Sequence, residues 1–75
     1  MDFTFKIEKE FGEFSNDGKW AKELNLVSFN GREAKYDIRP WSPDHQNMGK
    51  GITLTEEELY ALGELIARVR AGNEG

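Results

Sequence analysis

Lys35-Tyr36-Asp37-Ile38-Arg39-Pro40-Trp41, followed after a polar interval by Gly49-Lys50-Gly51-Ile52-Thr53-Leu54 and then Thr55-Glu56-Glu57-Glu58, is the stretch that decides the fold. Its first block alternates with the two-residue period of a strand, over about 32–41. Lys35, Arg39 and Trp41 therefore project to one side and Tyr36 and Ile38 to the other. The second block is a short strand, about 50–54, running into a helix with a well-specified start. Thr55 is a good N-cap, Glu58 three residues on completes a capping box, and Leu54 can staple onto Leu59. Glu56 and Glu57 place negative charge at the positive end of the helix dipole. Leu59, Leu62, Leu65, Ile66 and Val69 form an apolar stripe. Arg68 and Arg70 fall in the last turn and Gly72 supplies a stop, which predicts a helix over about 56–71.

Upstream, residues 3–14 read as a strand with Phe3, Phe5, Ile7 and Phe11 on one parity and Lys6, Glu8 and Glu10 on the other. Ser15-Asn16-Asp17-Gly18 is a turn signal, and a second strand follows over about 19–29. In that strand Trp20, Leu24 and Leu26 share one parity while Val27 and Phe29 take the other, which predicts a bulge or a change of face near Asn25. Asn30-Gly31 is a hairpin signature, because both residues tolerate the positive φ of a type I′ turn. Pro40 suits an edge or a bulge, and Ser42 to Gly49 reads as a polar loop. The expected fold is α+β, four antiparallel strands and one C-terminal helix in the order ββββα, as one domain over residues 1–75.

Composition narrows the function classes. A chain of 75 residues buries only about 60% of the surface it exposes when unfolded, so one core is marginal and self-association is expected. The absence of cysteine removes disulfides, thiolate metal sites and thiol nucleophiles and fits a reducing compartment. The N-terminus alternates instead of offering an apolar run, so no signal peptide or membrane span is read and the expected location is cytoplasmic. The net charge of −4 is unevenly spread. Acids gather at Glu8, Glu10 and Glu13 and at the helix start, while Lys19, Lys22, Arg32, Lys35, Arg39 and Lys50 lie in the middle segment, opposed by Glu23, Glu33, Asp37 and Asp44.

Trp41, Arg39 and Lys35 are the sharpest candidate site. An indole stacks on bases at about 1–3 kcal/mol per base while the cations track phosphates. The duller reading, a core or edge aromatic flanked by solvated charges, stays open at this point. Of Trp20 and Phe29, one is expected in the core, and Phe29 beside the turn is the expected exposed platform. Gly49-Lys50-Gly51 fails the phosphate-loop pattern, since a strand follows the lysine. Its glycines would instead let a sugar-phosphate chain approach closely. His45, the sole histidine, reads as a solvated loop residue, and neither a zinc site nor a nucleophile with its base is found. No cofactor, metal or catalytic role is expected.

Tyr36-Asp37-Ile38-Arg39 with Trp41, then Gly49 to Leu54 and the acidic helix start, resembles the C-terminal domain of the transcriptional coactivator family called positive cofactor four. It is most similar to the compact bacterial members of the YdbC type, over about Trp20 to Leu65. The resemblance implies a homodimer of curved four-stranded sheets whose helices pack across the interface, with Leu59, Leu62, Ile66 and Val69 as the contacting residues. It also implies concave surfaces that hold single-stranded DNA with little sequence preference. Arg39, Trp41 and Lys50 match the family motif directly, and Phe29 and the lysines of the second and third strands approximately. The implied site is Lys19, Lys22, Arg32, Lys35, Arg39 and Lys50 for phosphates and Phe29 and Trp41 for bases, used in transcription regulation or DNA maintenance. Regulation by phosphorylation of a serine-rich extension is not carried over. Single-stranded RNA, or a basic protein partner such as part of the transcription machinery held by the acidic surface, are the alternative ligands.

Overall fold

Turn chemistry sets the connections. The Asp17 carboxylate accepts the backbone N–H groups of Lys19 and Trp20 at 2.9 and 2.8 Å, and the Asn16 side chain accepts that of Gly18 at 2.8 Å. Gly18 itself takes φ 94°. Asn30 and Gly31 take φ 52° and 73°, and the Arg32 N–H donates to the Phe29 carbonyl at 3.0 Å, which closes the two-residue turn. The computed structural model, which describes residues 3–74, thus runs β1 (Phe5–Asn16), β2 (Ala21–Phe29), β3 (Lys35–Trp41), β4 (Ile52–Leu54) and α1 (Glu56–Glu74). The strands form one antiparallel sheet in the order β1-β2-β3-β4. β3 starts three residues later than the sequence suggests because Val27 pairs with Lys35, so the returning arm carries one residue more than the outgoing one. The Ser28 hydroxyl donates to the Arg32 carbonyl and holds that extra residue in place.

The sheet is curled. β1 spends twelve residues against the nine of β2, and its register slips between Ile7 and Lys9, between Glu10 and Gly12 and between Glu13 and Ser15. Each slip is a bulge, which bends a strand and increases its twist. The bulge expected near Asn25 is therefore absent from β2, which keeps a strict two-residue period against β3. The size of the curl follows from the register. Phe5 lies opposite Phe29 and Trp41 opposite Ala21, at the two ends of β2. A nine-residue strand spans about 26 Å between its ends. Yet the Phe5 and Trp41 rings are 5.1 Å apart.

Two faces result. Cross-strand pairing places Ile7, Glu23, Asn25, Val27, Asp37, Arg39 and Trp41 on the concave side, and Leu24, Leu26, Tyr36, Ile38, Ile52 and Leu54 on the convex side. The bulges carry Phe11 away from the parity of Phe5 and Ile7, and its ring meets Tyr36 at 5.9 Å. Among the described residues the buried apolar side chains are Ala21, Val27 and Trp41, and the buried polar ones are Glu23, Asn25, Ser28 and Asp37.

α1 begins on the expected capping box. The Glu58 N–H donates to the Thr55 hydroxyl at 3.1 Å and the Thr55 N–H to the Glu58 carboxylate at 2.8 Å. The helix continues through Gly72 to Glu74, which corrects the expected stop and leaves Arg68 and Arg70 ahead of the last turn. A glycine permits an αL stop without imposing one, and inside a helix it costs only about 1 kcal/mol. Against the sheet, α1 touches β3 and β4 alone, and Leu65, Ile66 and Val69 are exposed. The chain exposes 5929 Å², where an ordinary folded monomer of its mass exposes about 4,700 Å².

Candidate nucleic-acid interface

Arg39 projects from β3 on the concave face. Two positions after Asp37 on a strand, it shares that residue's side, and its Nε and Nη2 donate to Oδ1 and Oδ2 of Asp37 at 2.6 Å each. The Asp37 side chain is wholly buried and that of Arg39 is 15% exposed. Nη1 reaches Met48 Sδ at 3.3 Å, and the guanidinium lies 4.8 Å from the centre of the Phe29 ring. A forked ion pair of this kind fixes the guanidinium plane as well as its position. It also sets a negative charge directly against the guanidinium, which is therefore not a free cation.

Trp41 departs from its expected exposure. Parity places it with Lys35 and Arg39 as read from the sequence, but that side is the inside of the curl, and the indole is 0% exposed between Phe5 at 5.1 Å and His45 at 5.5 Å. The segment after β3 closes over it. Ser42 N–H donates to Asn47 O, His45 N–H to Ser42 O and Gly49 N–H to Pro40 O, each at 2.9 Å, and Met48 bridges back to Trp41. His45, expected as a solvated loop residue, instead has φ 59° and sets its Nε2 3.0 Å from both carboxylate oxygens of Glu23. The glycines of Gly49-Lys50-Gly51 are used by the protein itself. A Cβ at Gly49 would sit 2.6 Å from Pro40 Cγ, and one at Gly51 would overlap the Ile38 carbonyl and the Arg39 backbone.

The other predicted residues divide by place. Lys19, Lys22, Arg32, Lys35 and Lys50 are exposed. Among the described residues the ion pair formed by a lysine or arginine is Arg39–Asp37, which leaves those five cations unneutralised. Lys22 lies opposite Pro40 and so faces the convex side, whereas Lys35 joins Phe29 and Arg32 in lining a small cleft of about 160 Å³. Phe29 is half-buried and Trp20 is the more exposed ring, the reverse of the expected assignment. Lys19 and Trp20 sit together at the opposite end of β2 beside a larger cleft.

Two participants were not singled out from the sequence. Phe3, assigned only to an apolar parity, is exposed and stacks its ring 5.9 Å from Phe29 and 6.4 Å from Phe5. Asp37, counted only as an opposing charge, is the anchor of Arg39, and its i, i+2 spacing on a strand was the signal that could have revealed it. Phe3, Phe29 and Arg39 thus form a contiguous cluster, the two rings tilted at 34° to each other, with Arg32 and Lys35 beside it.

A family model described as transcriptional coactivator p15 (PC4) matches residues 16–65, from the last residue of β1 into the middle of α1. A protein of Treponema pallidum (strain Nichols), described as uncharacterized, is 48% identical over 66 residues, which cover 87% of this chain and 78% of that one.

Proposed function

The chain belongs to the transcriptional coactivator p15 (PC4) family, a nucleic-acid-binding and non-enzymatic family, and we propose that it binds single-stranded DNA across the rim of its concave face. The observation that carries this reading is the Phe3–Phe29–Arg39 cluster with unneutralised Arg32 and Lys35 at its side. Aromatic and guanidinium planes offer sequence-tolerant stacking, and exposed cations follow the phosphates. Lys19 with Trp20 marks the far end of the path, Lys50 adds charge along it, and Lys22, on the convex side, lies off it. Trp41 and Asp37 act from beneath, holding Phe5 and Arg39 in place. Trp41 is thereby a floor of the platform instead of its surface.

The working unit is a homodimer. The surface in excess of an ordinary monomer's is roughly 1,200 Å², the scale that each chain contributes to a permanent interface. Ile66 and Val69, with the half-buried Leu59 and Leu62, supply its helical part.

Titration with oligo-dT at low salt, followed by tryptophan fluorescence, tests the binding. Trp20 is expected to quench on binding while buried Trp41 changes little. With about five phosphates contacted, log affinity should fall against log salt with a slope near −3.5. Absence of binding at low salt would refute the reading, and a clear preference for an RNA oligomer of the same sequence would change the ligand.

A further inference from the structure

The segment that follows β3 and closes over Trp41 is fastened at two points. The first is His45, whose Nε2 lies 3.0 Å from both carboxylate oxygens of Glu23 and whose ring stands 5.5 Å from the buried indole. An ionised carboxylate only accepts, so the chemistry places a proton on Nε2. The second is Met48, whose Sδ accepts Arg39 Nη1 at 3.3 Å and whose backbone bridges to Trp41. Asp37 takes Nε and Nη2 of that guanidinium, so Met48 meets the nitrogen that Asp37 leaves over.

Between the two points the segment is wired to itself. The Ser42 hydroxyl donates to the Asp44 carboxylate at 2.8 Å and accepts the Asn47 N–H at 3.0 Å, while Asp44 also accepts the Gln46 N–H at 3.0 Å. Ser42 N–H and His45 N–H close the same turn at 2.9 Å each. A loop tied in this way moves as one piece. His45 meets Glu23 from φ 59°, a left-handed conformation that histidine tolerates better than most residues but that is still uncommon. An unusual backbone held in place by its surroundings is a pointer to function.

We propose that His45 is a positioning residue for nucleic-acid binding, a conclusion that rests on the single-stranded-DNA reading above. Seated on Glu23, it clamps residues 42–49 so that Met48 keeps the Arg39 guanidinium 4.8 Å from the centre of the Phe29 ring. It does so without touching the nucleic acid. Two side chains that act through one rigid segment have coupled, non-additive effects. A direct phosphate contact leaves another mark, because each one lost makes the salt slope of single-strand binding shallower by about 0.7.

The test titrates labelled dT12 by fluorescence anisotropy at several salt concentrations. His45→Gly keeps the left-handed backbone and removes the imidazole, and it is expected to weaken binding about fivefold, the scale of one hydrogen bond, with the salt slope unchanged. His45→Gln returns an N–H donor at the place of Nε2 and should recover affinity to within about twofold of the original protein. Met48→Leu keeps the volume, removes the sulfur acceptor and should weaken binding about threefold. Joined to His45→Gly, it should leave the loss near fivefold, against about fifteenfold for independent sites. Unchanged affinity in His45→Gly, no recovery in His45→Gln, or an additive pair overturns the clamp and leaves the DNA reading standing. A slope shallower by about 0.7 in His45→Gly also overturns it, by putting His45 on a phosphate. No binding of dT12 by the unsubstituted protein overturns both.

Discussion

The two faces of the sheet invert the usual arrangement. On the concave side, carboxylates, an amide and a guanidinium are buried with a few apolar groups. On the convex side Leu24, Leu26 and Ile38 are only half-covered, Ile52 is exposed, and α1 turns Ile66 and Val69 to solvent. Buried polar groups and exposed apolar ones are the informative departures from ordinary burial. Together they separate two tasks. The forked Arg39–Asp37 pair gives the concave face a fixed arrangement, and the apolar surplus of the convex side and helix is the surface the proposed dimer would bury.

Breaking the concave side should have the largest effect. Asp37→Ala strands the Arg39 guanidinium, and the expected loss is about 3–5 kcal/mol in chemical denaturation. A loss under about 1 kcal/mol would mean that the pair is not a structural element. Next comes the opposite face, where Ile66→Glu places a charge in the proposed dimer seam and should weaken association by about 3 kcal/mol. Light scattering should then fall from twice 8.6 kDa to the 8.6 kDa of one chain. An unchanged mass would move the seam elsewhere. Gly51→Ala probes the seat of β4 on β3, and its overlap with the Ile38 carbonyl should cost about 2 kcal/mol without altering the dimer constant.

The smallest effect lies outside both faces. The Lys19 and Trp20 amides, Trp20 foremost, hold the Asp17 carboxyl below its usual range. Because the folded-state pKa is the lower one, its stabilising contribution is complete above the unfolded value of about 4 and is lost as pH falls through the folded one. An NMR titration should show Asp17 with a midpoint below that of a model aspartate, and the Trp20 amide shifting with it. An ordinary midpoint would contradict the turn geometry.

How much of this was legible depended on range. Both turns and the capping box were readable because Asp17, Asn30-Gly31 and Thr55 with Glu58 act on backbone groups within a few residues. The shared side of Lys35, Arg39 and Trp41 was readable from period two. What that side faces was not, because the curl comes from three slips in β1, where Glu8, Phe11 and Phe14 carry no bulge signature. Gly12, with φ 146°, is the one local sign. Trp41 is therefore correctly placed by parity and wrongly exposed by it. The same missing curvature explains why Trp20 and Phe29 exchange roles, and why Phe3 went unnoticed as a stacking ring.

β1 is also an outer strand of the sheet, carrying Phe5, Phe11 and Phe14. A straight ribbon of that composition would offer its unpaired backbone groups to any passing chain. By breaking its ladder every few residues and setting Lys6, Glu8, Lys9 and Glu10 among the rings, β1 denies a newcomer a regular row to zip onto. The distortion that shapes the concave face thereby also guards the protein against runaway aggregation in a crowded cell.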